Sequence, residues 1–190
     1  MEQVYRSLLP SVIEISEEAG LAILDVYRSE AIAGDHKSDG SPITEADRAA
    51  QRIIASGLTR IAPDIPQSSE EAAAVDYAER SGWPVFWLID PLDGTKEFLQ
   101  RSDEFTVNIA LIVEGVAHLG VVHAPALHAT YWGDANSGAH KHDRSGRRSI
   151  RTQPPHAVPK ILVSRSHRDE QTNVFLERFG RHEATSVGSS

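Results

Sequence analysis

The sequence predicts a mixed α and β fold: two helices, then a mostly antiparallel sheet, then the beginning of an alternating α/β portion. Three observations predict it. Apolar residues recur at three- and four-residue spacing over residues 4–27 and 45–61, as on helices with one buried face. Two apolar, β-rich runs, 105–113 and 116–123, are joined by Glu114-Gly115, a hairpin signal. A strand-like run at 160–164 then precedes a helical pattern at 169–179, the order in which α/β portions begin.

The elements follow in chain order. Val4, Leu8, Val12, Ile15, Ala19, Ile23 and Val26 form one face of a long helix over 4–27, in which Pro10 either introduces a kink or sets the start. Residues 31–41 are short, polar and Gly-containing, a strand or hairpin with its tip at Asp39-Gly40. Thr44 is placed to cap a second helix over 45–61, with Ala46, Ala49, Ile53, Ile54 and Leu58 inward and Pro63 just beyond its end. An extended piece near Ile65 leads to Ser69-Glu70-Glu71 and an alanine-rich helical turn over 72–80. The run 85–89 then reads as a fully buried strand. After the 105–123 hairpin, residues 128–133 and 138–142 read as further short strands, with His140 and His142 facing solvent. Residues 144–159 read as a basic surface connection.

Composition narrows the function. The chain has 190 residues, 40% of them hydrophobic, enough for one globular interior or for two small lobes sharing a core. A formal net charge of −8, from 27 acidic and 19 basic side chains, argues against a nucleic-acid polymer as partner. A phosphorylated substrate would therefore need local help from cations or helix dipoles. Without cysteine there is no disulfide framework and no thiol nucleophile. No leader pattern and no run of ~18 apolar residues is present, so a cytoplasmic protein without a membrane span is expected.

The chemistry is expected at Trp87-Leu-Ile-Asp-Pro-Leu-Asp-Gly-Thr95, where an apolar run stops at Asp90 and Asp93. A bend at Pro91 would put both carboxylates on one side, and two anionic groups held that close repel unless a cation bridges them. Oxygen-only ligands suit Mg²⁺ rather than zinc or copper. Gly94 permits a positive φ or a close backbone approach, and Thr95 supplies a hydroxyl where a helix begins. The same residues also make an ordinary turn and N-cap, just as Thr44 with Asp47 makes a capping pair and Glu70-Glu71 a solvated acidic helix start.

Lys37-Ser-Asp-Gly-Ser-Pro-Ile-Thr-Glu-Ala-Asp47, Ser69-Glu-Glu71 and Trp87-Leu-Ile-Asp-Pro-Leu-Asp-Gly-Thr-Lys-Glu-Phe98 resemble, in order and spacing, the signatures of the inositol monophosphatase superfamily of Mg²⁺-dependent, lithium-sensitive phosphatases. Lys96-Glu97-Phe98, Phe105-Thr-Val-Asn-Ile-Ala-Leu111, Ser164-Arg-Ser-His167 and Ser186-Val-Gly-Ser-Ser190 resemble its CysQ-type 3′(2′),5′-bisphosphate nucleotidase branch. The resemblance runs from about Leu8 to the last residue. It implies a layered αβαβα sugar-phosphatase-like fold with a mostly antiparallel N-terminal sheet, as one domain over residues 1–190.

The resemblance implies two or three Mg²⁺ ions held by Glu70, Asp90, Asp93 and the Leu92 carbonyl. Asp47 and Thr95 would orient and deprotonate the attacking water, with Glu71 in support. Substrate would be held by Glu70, Leu92, Asp93, the Gly94 and Thr95 amides, Ser164, His167 and Gly188. The implied reaction removes the 3′-phosphate of 3′-phosphoadenosine 5′-phosphate, in sulfur assimilation. Inositol monophosphate or fructose 1,6-bisphosphate hydrolysis is the nearest alternative, and a non-catalytic metal- or phosphate-binding protein is the alternative of another class. The implied partner is a small phosphorylated nucleotide, and peripheral attachment at the inner membrane is compatible with the branch; the oligomeric state is left open. The family pattern would continue past Ser190 into a second acidic motif, W-D-x-A, so a C-terminally shortened phosphatase with an incomplete α/β part is expected.

Overall fold

The computed structural model describes residues 5–29, 34–36, 42–73, 75–154, 156–165 and 169–188. Helix α1 (Leu9–Tyr27) carries Pro10 in its first turn. Of the two roles open to it, Pro10 therefore takes the helix start, where its missing N–H costs nothing. Strands β1 (Gly34–His36) and β2 (Pro42–Thr44) pair antiparallel, as the hairpin reading expects, while its tip at Asp39-Gly40 lies outside the described residues. Helix α2 (Glu45–Ile61) begins on Thr44, whose Oγ1 accepts from the Ala46 N–H at 3.2 Å. Its fully buried face is Ala46, Ala50, Ile54 and Leu58, with Ala49 and Ile53 at the half-buried margin.

The central sheet has seven strands among the described residues, in spatial order β3 (Gln67–Ser69), β4 (Val85–Asp93), β5 (Thr106–Val113), β6 (Val116–Ala124), β7 (Ala129–Asp134), β8 (Gly138–Asp143) and β9 (Gly146–Ile150). Only β3 runs parallel to its neighbour. Glu114 and Gly115 both have positive φ, 49° and 76°, the primed turn that matches strand twist in a two-residue hairpin. The helices α1 and α2 pack together and cover one sheet face, burying Trp87, Ile89, Val107, Ile109, Leu111, Leu119 and Val121. This is the mixed α/β fold with a mostly antiparallel sheet that the sequence predicts. Among the described residues no helix is long and apolar enough to cross a membrane.

Several expectations are corrected. The helical turn expected over 72–80 contracts to α3 (Tyr77–Arg80), which Asp76 caps through the Ala78 N–H. Strand β4 is not buried throughout: Ile89 is 3% exposed but Leu88 is 49% exposed, because only one sheet face carries helices. The basic stretch after Arg144 is partly strand β9, which pairs with β8. His140 is half-buried and stacks on Trp132 at 5.7 Å, while His142 is exposed as expected. Strand β10 (Lys160–Ser164), helix α5 (Glu170–Glu177) and strand β11 (Glu183–Val187) form a separate two-stranded parallel unit.

Short helix α4 (Thr95–Leu99) follows β4 and is pinned by aromatic packing. Tyr27, Phe98 and Phe105 meet pairwise with ring centroids 4.9–5.3 Å apart, contacts each worth ~0.5–1.5 kcal/mol beyond their burial. The end of β4 is thereby fastened to α1. One-sided burial makes neighbouring residues of β4 unequal. Ile89→Ala should cost ~2–5 kcal/mol in chemical denaturation, whereas Leu88→Ala should cost less than about 1 kcal/mol; equal losses would contradict the observed alternation.

Candidate active site

Asp90 pairs with Asn108 and Asp93 with Thr106, so three steps along β4 face two steps along β5. The extra residue is a bulge at Pro91-Leu92, where proline has no N–H to give the ladder. In a regular strand residues three apart point to opposite faces; the bulge returns Asp93 to the side of Asp90. Glu70 joins from the end of β3, its N–H donating to the Ile89 carbonyl at 3.1 Å. Glu70, Asp90 and Asp93 thus lie near one another at the ends of two neighbouring parallel strands.

The electrostatics show how close it is. Asp90 is pushed up to about 7, first by burial and then by the negative charges of Glu70 and Asp93, with the Glu70 carboxyl in hydrogen-bonding reach. The Leu92 N–H partly offsets this by donating to Asp90. Asp90 Oδ1 is buried with no hydrogen-bond partner, as is Oδ1 of Asn108 across the ladder. As the side chains stand, no three His, Asp or Glu residues among those described are grouped at metal-ligand spacing. The donor set nevertheless fits a hard cation: crowded carboxylates whose repulsion a divalent charge would relieve, plus an orphaned buried oxygen. A cavity of about 650 Å³ opens beside them, lined by Glu70, Asp90, Asn108, Ala110, Gly120 and Val122. That size is ordinary for a small-molecule site.

Asp47 is fully buried and its two oxygens have separate tasks. Oδ2 accepts from the Thr44 N–H at 2.7 Å and the Thr44 hydroxyl at 2.6 Å, completing the capping box. Oδ1 faces the Thr95 hydroxyl at 3.3 Å. The capping and functional readings of Asp47 therefore coexist in one side chain. Burial raises its pKa despite the bonds from Thr44, which makes it a better proton acceptor. The Thr95 hydroxyl has a second acceptor, the Leu92 carbonyl at 3.2 Å. Gly94 sits at φ 89°, ψ 37°, a left-handed conformation that turns the chain into α4 and that a side chain would oppose.

The remaining expected residues are more dispersed. Glu71 is half-buried beside Glu70, its N–H donating to Ser69 Oγ at 3.4 Å. Ser164 lies at the end of β10, in register with Val187. Gly188 lies against α4, where an added Cβ would come within 2.3 Å of Glu97 Cγ. His167 lies outside the described residues. Sequence reading missed Asn108 and Glu104. The signal for Asn108 was a polar residue inside the apolar run Thr106–Val113; Glu104 had none.

A sequence model of the inositol monophosphatase family matches residues 5–190. The chain is 42% identical over 184 residues to the 3′(2′),5′-bisphosphate nucleotidase CysQ of Salmonella typhimurium, covering 96% of this chain and 74% of that protein. Its identity to the nucleotidase CysQ of Buchnera aphidicola is 36%, over 100% of this chain and 71% of the relative. Among solved structures, CysQ from Bacteroides thetaiotaomicron superposes with a TM-score of 0.81 at 32% identity, over 96% of this chain and 73% of that one. The suhB protein of Bartonella henselae, at 22% identity and a TM-score of 0.78 over 96% and 71% of the two chains, shares the fold.

The carboxylate repulsion predicts a pH signature. Folded Asp90 keeps its proton up to about 7, whereas the unfolded chain loses it in the ordinary carboxylate range. Its contribution to stability is therefore complete in acid and is lost as pH rises through that interval. In EDTA, the thermal midpoint of the wild type should fall between about pH 4 and 7 more steeply than that of Asp90→Asn. Added Mg²⁺ near neutral pH should raise the wild-type midpoint and leave the variant unmoved. Superimposable profiles would refute the coupling.

Proposed function

This chain belongs to the inositol monophosphatase family, and from that premise we propose that it is a Mg²⁺-dependent phosphomonoesterase acting on 3′-phosphoadenosine 5′-phosphate. Water and substrate give AMP and inorganic phosphate, a step that clears a by-product of sulfur assimilation. The observation that carries the reading is the Glu70–Asp90–Asp93 grouping beside the Asp47–Thr95 contact, in a chain similar to proteins named as bisphosphate nucleotidases.

In this reading Glu70, Asp90, Asp93 and the Leu92 carbonyl would hold two or three Mg²⁺ ions. Bound there, the metal supplies Lewis acidity toward the phosphate and lowers the pKa of water. The protein's own part is proton management and placement. Thr95 receives the proton of the attacking water as it yields its own to Asp47 Oδ1, whose burial favours accepting it. Glu71 supports Glu70 from the adjacent position. The Gly94 and Thr95 amides, left without intrahelical acceptors at the start of α4, hold the phosphate oxygens as charge develops on them. Ser164, His167 and Gly188 contact the nucleoside.

Phosphate release from 3′-phosphoadenosine 5′-phosphate by the full chain should require Mg²⁺, stop with EDTA, and fall about 100-fold or more in Asp90→Asn. Inositol monophosphate and fructose 1,6-bisphosphate should be turned over more slowly. Undiminished release by the variant, or release indifferent to EDTA, would remove the mechanism; preference for the inositol ester would move the substrate assignment.

A further inference from the structure

The two ends of the β10–β11 unit converge on one carboxylate. Arg165, just beyond β10, donates from Nη2 to Glu104 Oε1 at 3.0 Å and lies 2.8 Å from Oε2 in the same ion pair. Gly188, just beyond β11, donates its N–H to Glu104 Oε2 at 2.8 Å. The Ser102 hydroxyl adds a third bond at 3.3 Å. The Arg165 guanidinium holds the Glu104 carboxyl below the usual carboxylate range, so it is an anionic acceptor at neutral pH. The Arg165 N–H also donates to the Val187 carbonyl at 2.7 Å, tying the two ends to each other. On its other side Gly188 is seated so tightly on Glu97 that no Cβ fits. Glu97 lies in α4, two residues after Thr95. A displacement of the strand ends from Glu104 is therefore a displacement relative to Thr95.

We infer that Glu104, in the segment between α4 and β5, is a positioning residue that clasps the β10–β11 unit and so fixes the wall receiving the nucleoside half of the substrate. The substrate half of this inference rests on the phosphatase reading above. A charged, bidentate acceptor is needed because it must satisfy a guanidinium and a backbone amide from two separate strands at once. The clasp touches neither the phosphate-holding residues nor the proton relay. Its loss should appear in substrate binding rather than in chemistry.

The test combines kinetics with hydrogen exchange on the full chain. Glu104→Gln and Arg165→Met should each raise KM for 3′-phosphoadenosine 5′-phosphate about tenfold with kcat changed less than about twofold. Hydrolysis of p-nitrophenyl phosphate, which lacks a nucleoside, should be unaffected. Glu104→Asp should recover part of the KM. In both weakened variants the amides of 183–188 should exchange faster while those of 85–99 keep their wild-type rates. Unchanged exchange at 183–188, or a kcat loss without a KM change, would overturn the clasp. If the wild type hydrolyses no phosphate ester, the phosphatase reading fails, and the exchange comparison still decides whether Glu104 holds the unit.

Discussion

A strand alternates its side chains, so residues three apart cannot face the same way unless the ladder breaks between them. The bulge at Pro91-Leu92 is that break, and the candidate centre depends on it. It turns Asp93 toward Asp90, brings the Leu92 carbonyl within reach of the Thr95 hydroxyl, and delivers the chain to Gly94, whose left-handed conformation suits a residue without a side chain. Like-charged groups brought together in a half-buried place oppose folding. The surrounding structure overcomes that opposition by anchoring the bend on both sides, through the β5 ladder and the Tyr27–Phe98–Phe105 cluster.

Asp47 shows scaffold and site sharing one side chain. A carboxylate fully removed from water is costly unless bonded, and here the capping box supplies the bonds. Because the cap fully occupies one oxygen, the other is held in a fixed direction toward Thr95. The start of α2 is consequently both a helix terminus and the orienting group for a hydroxyl 48 positions away at the start of α4, and stability of the helix becomes a condition for geometry at the centre.

Local signals made the helices, the Glu114-Gly115 hairpin and the aspartate turn readable from the sequence. Each is fixed by neighbours along the chain: Thr44 by the residue three positions on, Pro10 by its own ring, Glu114-Gly115 by its two positive φ angles. What stayed hidden depends on pairing across the fold. Leu88 looks as apolar as Ile89, and only the arrangement of helices on one face decides which is covered. Glu71 and Ser164 were named from pattern, yet where they stand relative to the carboxylates is not a local property. Glu104 was invisible because its partners, Arg165 and Gly188, lie 61 and 84 positions away.

The far side of the sheet ends in β9, which has β8 as its partner and no other among the described residues. Such an edge presents unpaired peptide groups to whatever strand comes near. Arg147 and Arg148 sit on it, one over the Trp132 ring and the other bonded to Asp143 across the hairpin. Two such edges brought together from separate molecules would set guanidinium against guanidinium. The hairpin thus places cationic side chains on its border strand, one of the devices by which sheet edges discourage intermolecular strand addition.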